Sequence, residues 1–205
     1  MLYLLRRIPR TLDNISHYFY MYWNPIKFRL VGIKCGKGLI ALNMIYVDIR
    51  PGARVSIGDN FCFTSGNNIN PLCRNIRGGM VALRDAEIVI GNNCGLSSTS
   101  IWAHKKITIG NNVKIGGNVT MTDSDSHSLD YQLRRTGADG KDAKTAEIVI
   151  GDDVLIGTGC IILKGVHIGP RSVIGAGSVV VGEIPADCIA AGNPCKVIRF
   201  LNQNK

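Results

Sequence analysis

The chain has no apolar stretch approaching the roughly 20 residues that would cross a membrane, and none of its seven cysteines stands in a CxxC pair. The first absence excludes a membrane-spanning helix. The second, with an odd count and no metal-ligand spacing, argues against a zinc ribbon or a disulfide framework and for packing thiols in a reducing compartment. Acid is scarce at the start: residues 1–40 carry Arg6, Arg7, Arg10, Lys27, Arg29, Lys34 and Lys37 against Asp13 alone. A solvated face is the economical reading of that excess. The functional alternative is attraction to an anionic membrane surface where a lipid-linked substrate resides. No nucleic-acid module accompanies the charge. The opening MLYLLRR sets its basic residues after a very short apolar run, the reverse of a secretory signal, so a cytoplasmic location is expected. With 205 residues and 45% hydrophobic content, one domain with appendages suffices.

What is present is a repeat. Ile150, Ile156, Ile162, Ile168, Ile174 and Val180 stand six residues apart, and glycine follows four of them, at Gly151, Gly157, Gly169 and Gly175. A helix would smear a six-residue period around its circumference, and an ordinary strand alternates with period two. Short strands separated by turns, each adding a rung to a parallel β-helix with a stacked apolar ladder inside, fit the pattern. The spacing recurs in Ile90, Leu96, Trp102 and in Ile109, Ile115, Met121, with a one-residue slip between Trp102 and Ile109. Ile57, Gly58, Phe61 and Phe63 read as an opening rung, and Cys62, Cys94 and Cys160 fall where a small buried residue is wanted.

The expected organisation is a basic segment over 1–44, a repeat domain over 45–185 and a tail over 186–205. Loop insertions interrupt the repeat at about 66–80 and 124–146; long aperiodic insertions in compact folds often carry function. Leu12, Ile15, Phe19 and Tyr22 form the apolar stripe of a short amphipathic helix that Asn24-Pro25 should end. Its plain role is to cover the open end of the β-helix; lying on a membrane is the sharper one.

Three segments, IGNNVKIGGNVTMTDSDSHSLD (109–130), IGAGSVVVGEIP (174–185) and AGNPCKVIRFL (191–201), resemble signatures of the hexapeptide-repeat acetyltransferases, most closely the branch that O-acetylates sugars and surface polysaccharides. The resemblance covers about residues 57–200. It implies an all-β fold, a left-handed parallel β-helix of hexapeptide repeats with a short N-terminal helix, an inserted loop and a C-terminal tail. It further implies acetyl-CoA as donor, no metal, and a homotrimer with sites between subunits. By position His127 is the general base, since imidazole titrates near neutral pH and can take an alcohol's proton. Asp123 or Asp125 would orient it. Gly157 and Thr158 would lie near the thioester, Ala176 along the pantetheine arm, and Lys196 and Arg199 at the 3′-phosphate end. His104 and Trp102 are the acceptor candidates, each with a plainer alternative: a turn cap for His104, core or subunit interface for Trp102.

The sequence departs from the small sugar acetyltransferases at Leu155, where they carry tryptophan, at Val181, where threonine is usual, and at Ala103-His104, where they carry an acidic acceptor-binding residue. Zinc hydratases share the fold, but no pair among His17, His104, His127 and His167 has the close spacing of their ligands. Competing readings are N-acetylation of an amino sugar nucleotide and a non-catalytic β-helix scaffold.

Overall fold

A computed structural model describes residues 8–66, 70, 73 and 76–201, with side chains in the first helix described from residue 15. Arg6 and Arg7 lie outside the described residues, as do the side chains of Arg10 and Leu12. Each circuit of the chain lays one strand on each of three sheets, A, B and C, and equivalent strands of successive circuits pair in parallel. The result is a three-sided, left-handed parallel β-helix. The fourth circuit, for instance, is Lys106–Ile109, Lys114–Ile115 and Thr120–Thr122; the fifth is Ile148–Ile150, Leu155–Ile156 and Ile161–Ile162.

One apolar column runs up the inside of each sheet. Sheet A stacks Ile57, Ile90, Ile109, Ile150, Ile168 and Ile184. Sheet B stacks Phe63, Leu96, Ile115, Ile156, Ile174 and Ala190, and sheet C stacks Met80, Ile101, Met121, Ile162 and Val180. All are buried. The ladder residue of the third circuit is thus Ile101, and Trp102 faces outward, 47% exposed. The slip lies earlier than the spacing suggested: the corner between Leu96 and Ile101 is one residue shorter than that between Ile115 and Met121, which pair with them. Cys73, Cys94, Cys160, Cys188 and Cys195 are buried, Cys62 is half-buried and Cys35 exposed, all seven unbridged.

The corners explain the glycines. Circuits stack about 4.8 Å apart, so a Cβ on Gly91 would sit 2.6 Å from Gly110 O, and one on Gly157 would sit 2.7 Å from Ala176 Cα. Asparagine supplies the second corner device. Asn60, Asn93, Asn112 and Asp153 all adopt left-handed φ of 56–59°, and their side chains form a ladder with Nδ2 to Oδ1 distances of 3.0, 3.1 and 3.0 Å. A short amide both tolerates that conformation and bonds its copy one circuit away.

The β-helix starts one circuit before the expected 45, at Lys34–Cys35. The first circuit buries little beyond Ala41 and Ile45, so it lacks the apolar period. The preceding helix runs Ile8–Leu30, straight through Pro25. Proline removes one helical hydrogen bond, yet docking outweighs the loss. Buried Asn24 donates to Ala41 O at 2.9 Å and Asn43 O at 2.8 Å, Lys27 Nζ reaches Ile45 O at 2.6 Å, and Phe28 is buried. The helix therefore covers the exposed edge of the first circuit. It stops in a Schellman motif, with Gly32 at φ 83°, Gly32 N bonded to Arg29 O and Ile33 N to Phe28 O, and Ile33 packed in the core.

Candidate active site

The second inserted loop leaves the prism where sheet C turns to sheet A, after Thr120–Thr122 and before Ile148–Ile150. Its root is Asp123, fully buried, whose carboxylate accepts three backbone N–H groups from the corner one circuit below. Oδ1 takes His104 N at 2.6 Å; Oδ2 takes Lys105 N at 2.8 Å and Lys106 N at 2.7 Å. Asp125 turns instead to Lys164, 3.1 Å away. Ser126, at φ 62°, then reverses the chain and sends His127 out from the body, its side chain 70% exposed.

Neither acid expected to orient His127 holds it. Asp123 is consumed by the corner and Asp125 by Lys164. The partner is Asp139, at the start of the short helix Asp139–Asp142, whose Oδ2 lies 2.6 Å from His127 Nδ1. The other oxygen of Asp139 accepts Ser128 N at 2.8 Å, and Ser128 Oγ donates to Asp142 at 2.8 Å. Arg134 closes the loop by donating to Ser128 O at 2.8 Å and Leu129 O at 2.9 Å. The hydrogen bond from His127, then that from Ser128 N, holds the Asp139 carboxyl below the usual carboxylate range. An ionised acceptor on Nδ1 makes that nitrogen the N–H of the imidazole and leaves Nε2 with its lone pair, the tautomer a base needs. Asp139 escaped sequence reasoning because it lies 12 residues from His127 inside an aperiodic stretch; only the cluster of acids in GADGKD hinted at it.

Trp102 and His104 belong to the same edge. Trp102 is the sheet C neighbour of Thr122, which leads into the loop. Its ring stacks on His104 at 6.0 Å and 24°, and His104 N is one of the three bonds to Asp123.

The remaining candidates lie on a different edge, between sheets B and C. There Gly116 packs under Gly157 and Thr158, Gly157 under Ala176, and Gly175 against Ala191. Gly157 N bonds Ile174 O, and Gly177 N bonds Thr158 O, both at 2.8 Å. This column of small residues ends where Ala191 pairs with Lys196 in the closing antiparallel strand, Cys195–Phe200. Residues 196 and 199 would face opposite ways in a regular strand. The bulge opposite Ile189/Ala190 adds one residue between them and returns both cations to one side, where both are exposed. The structure thus groups Gly157, Thr158, Ala176, Lys196 and Arg199 along one edge, and His127, Asp123, Asp125, His104 and Trp102 along another.

Residues 147–182 match the family model described as bacterial transferase hexapeptide (six repeats). That stretch carries the hexapeptide repeat of this family. Over 96 residues, this hexapeptide-repeat chain is 45% identical to galactoside O-acetyltransferase of Escherichia coli (strain K12), covering 47% of this chain and 45% of that protein. Over 114 residues it is 42% identical to galactoside O-acetyltransferase of Lactococcus lactis subsp. lactis (strain IL1403), covering 52% and 53%. It spans about half the length of the curated relatives it matches. Among solved structures, it resembles a galactoside acetyltransferase in complex with coenzyme A, with TM-score 0.51, 30% identity and coverage of 82% of this chain and 65% of that one. It also resembles a hexapeptide-repeat containing acetyltransferase from Vibrio cholerae, with TM-score 0.54, 26% identity and coverage of 89% and 82%.

Proposed function

We propose that this hexapeptide-repeat protein transfers an acetyl group from acetyl-CoA to a hydroxyl of a sugar or surface-polysaccharide precursor. The observation that carries the reading is the smooth B–C edge from Gly116 to Ala191, which ends at two exposed cations on one side of a strand. An extended thioester arm needs such a track of small residues, and a terminal phosphate needs charge-assisted donors, the strong class of hydrogen bond. Lys196 and Arg199 would meet the nucleotide phosphates, and the backbone about Gly157, Thr158 and Ala176 would flank the arm.

His127 is the base of the reaction. Held through Nδ1 by Asp139, it takes the acceptor hydroxyl's proton at Nε2 as that oxygen bonds to the thioester carbonyl carbon. When the carbon–sulfur bond breaks, the imidazolium returns the proton to the leaving thiolate sulfur. A backbone N–H of a neighbouring circuit would meet the developing oxyanion. Trp102, with its exposed face on the same edge as His127, offers a platform for a sugar ring. The protein would work as a homotrimer in the cytoplasm, where its seven unbridged thiols are stable.

Calorimetric titration with acetyl-CoA, and with CoA lacking its 3′-phosphate, tests the donor reading. Saturation near one ligand per chain, weakened without that phosphate, is expected. No binding at millimolar ligand would overturn it.

A further inference from the structure

The N-terminal helix has two apolar faces. One carries Asn24 and Phe28 and is spent on the first circuit. The other carries Ile15, Tyr18, Phe19, Tyr22, Trp23, Ile26 and Leu30, all exposed, at the three- and four-residue steps of a single stripe. Phe19 stacks on Trp23 at 6.4 Å and 20°, so the stripe is a continuous aromatic surface. Soluble domains rarely leave such a patch uncovered without a use for it.

Charge selects the occupant. From residue 14 to residue 47 the sequence has no acid, while Lys27, Arg29, Lys34 and Lys37 are all basic, with Arg6, Arg7 and Arg10 preceding them. Arg29 lies on the exposed stripe itself and Lys34 and Lys37 are exposed just beyond it. Lys27 is excluded from this rim, its ammonium turned to Ile45 O. An apolar stripe rich in tyrosine and tryptophan, bordered by cations, has the composition of helices that lie in a bilayer interface. Among the described residues no helix is long and apolar enough to cross a membrane, which fits a helix lying on one.

Position agrees. The helix contacts the first circuit, at the end of the prism, so copies packed side by side along its long edges leave the stripe uncovered. From this we infer that the outward face of the helix docks the protein on an anionic lipid surface, with the β-helix standing away from it.

Flotation of the full chain with phosphatidylglycerol/phosphatidylcholine vesicles, against pure phosphatidylcholine vesicles, tests this without acetyl-CoA and so independently of the transferase reading. Binding is expected on the anionic vesicles alone and should weaken as salt rises. The triple variant Phe19→Ser, Tyr22→Ser, Trp23→Ser should lower the partition at least about tenfold, and Arg29→Glu about fivefold or more. Both should keep the wild-type circular dichroism. Absence of flotation, or equal flotation on neutral vesicles, overturns the inference. So does a change of oligomeric mass in the triple variant, which would mean that a second copy of the chain covers the stripe.

Discussion

Asp123→Asn separates an anchor from a catalytic acid. The carboxylate is fully buried and accepts three N–H groups, two on Oδ2 and one on Oδ1. An asparagine keeps the shape, and its best rotamer leaves the amide oxygen on the two donors from Lys105 and Lys106. The amide nitrogen then faces His104 N, a donor against a donor. One buried N–H left unmade costs about 1–3 kcal/mol, and two ionic bonds reduced to neutral ones lose about 1 kcal/mol each. The sum is about 3–5 kcal/mol. For a chain of this size that lowers the melting midpoint by about 6–20 °C. Thermal melting followed by circular dichroism reads the shift, and acetyl transfer measured well below the variant's midpoint reads the chemistry. Because His127 is held by Asp139, the folded variant should keep most of its kcat. An unchanged midpoint with a kcat lowered a hundredfold would refute the assignment and return Asp123 to the catalytic group.

Asp139→Asn should cut kcat by about 10²- to 10⁴-fold with little change in the KM for acetyl-CoA, since it removes the orientation and tautomer of the base; a KM effect alone would contradict that role. The depressed Asp139 carboxyl stabilises the folded loop above the ordinary carboxylate range, and the contribution is lost as pH falls through the lower folded value. The side-chain carboxyl carbon of Asp139 should therefore keep the chemical shift of an ionised carboxylate down to about pH 5 and protonate only in stronger acid; protonation at or above the ordinary carboxylate range would count against the pairing. Lys196→Ala and Arg199→Ala should each raise the KM for acetyl-CoA about tenfold, and less for the 3′-dephospho form. Gly91→Ala places a Cβ 2.6 Å from Gly110 O and should destabilise by about 3 kcal/mol in urea unfolding; a loss under 1 kcal/mol would show that the corner can spread.

The ladder was legible because a β-helix repeats its burial every circuit: the six apolar residues from Ile150 to Val180 are all inside. Legibility failed where circuits differ in length. Trp102 fits the period by count, yet the short corner after Leu96 hands the inward position to Ile101. The helix passed Pro25 because Asn24 found partners 17 and 19 residues away and Phe28 a place in the core, which local propensity does not contain. His127 stands at the break in the repeat, but its orienting acid is set by how a loop folds back on itself. No period encodes the pairing of residues 127 and 139, and the nearer acids Asp123 and Asp125 are diverted by the corner and by Lys164.

The two halves of the candidate site stand on different edges of one prism. The loop of His127 leaves between sheets C and A, and the small-residue column runs between sheets B and C. Each edge is held apart by the interior ladder of sheet C, and under the proposed function a complete site would set the C–A edge of one copy against the B–C edge of another. Complementation follows from this geometry. His127→Ala lacks the base; the double variant Lys196→Ala, Arg199→Ala lacks the donor grip. Each alone should be nearly inactive at low acetyl-CoA. Co-refolded in equal amounts, half the bases and half the donor edges are intact and pair at random, so about one quarter of the sites should be whole. A mixture no more active than the mean of its parents would place base and donor in one chain, and the edge argument would fail.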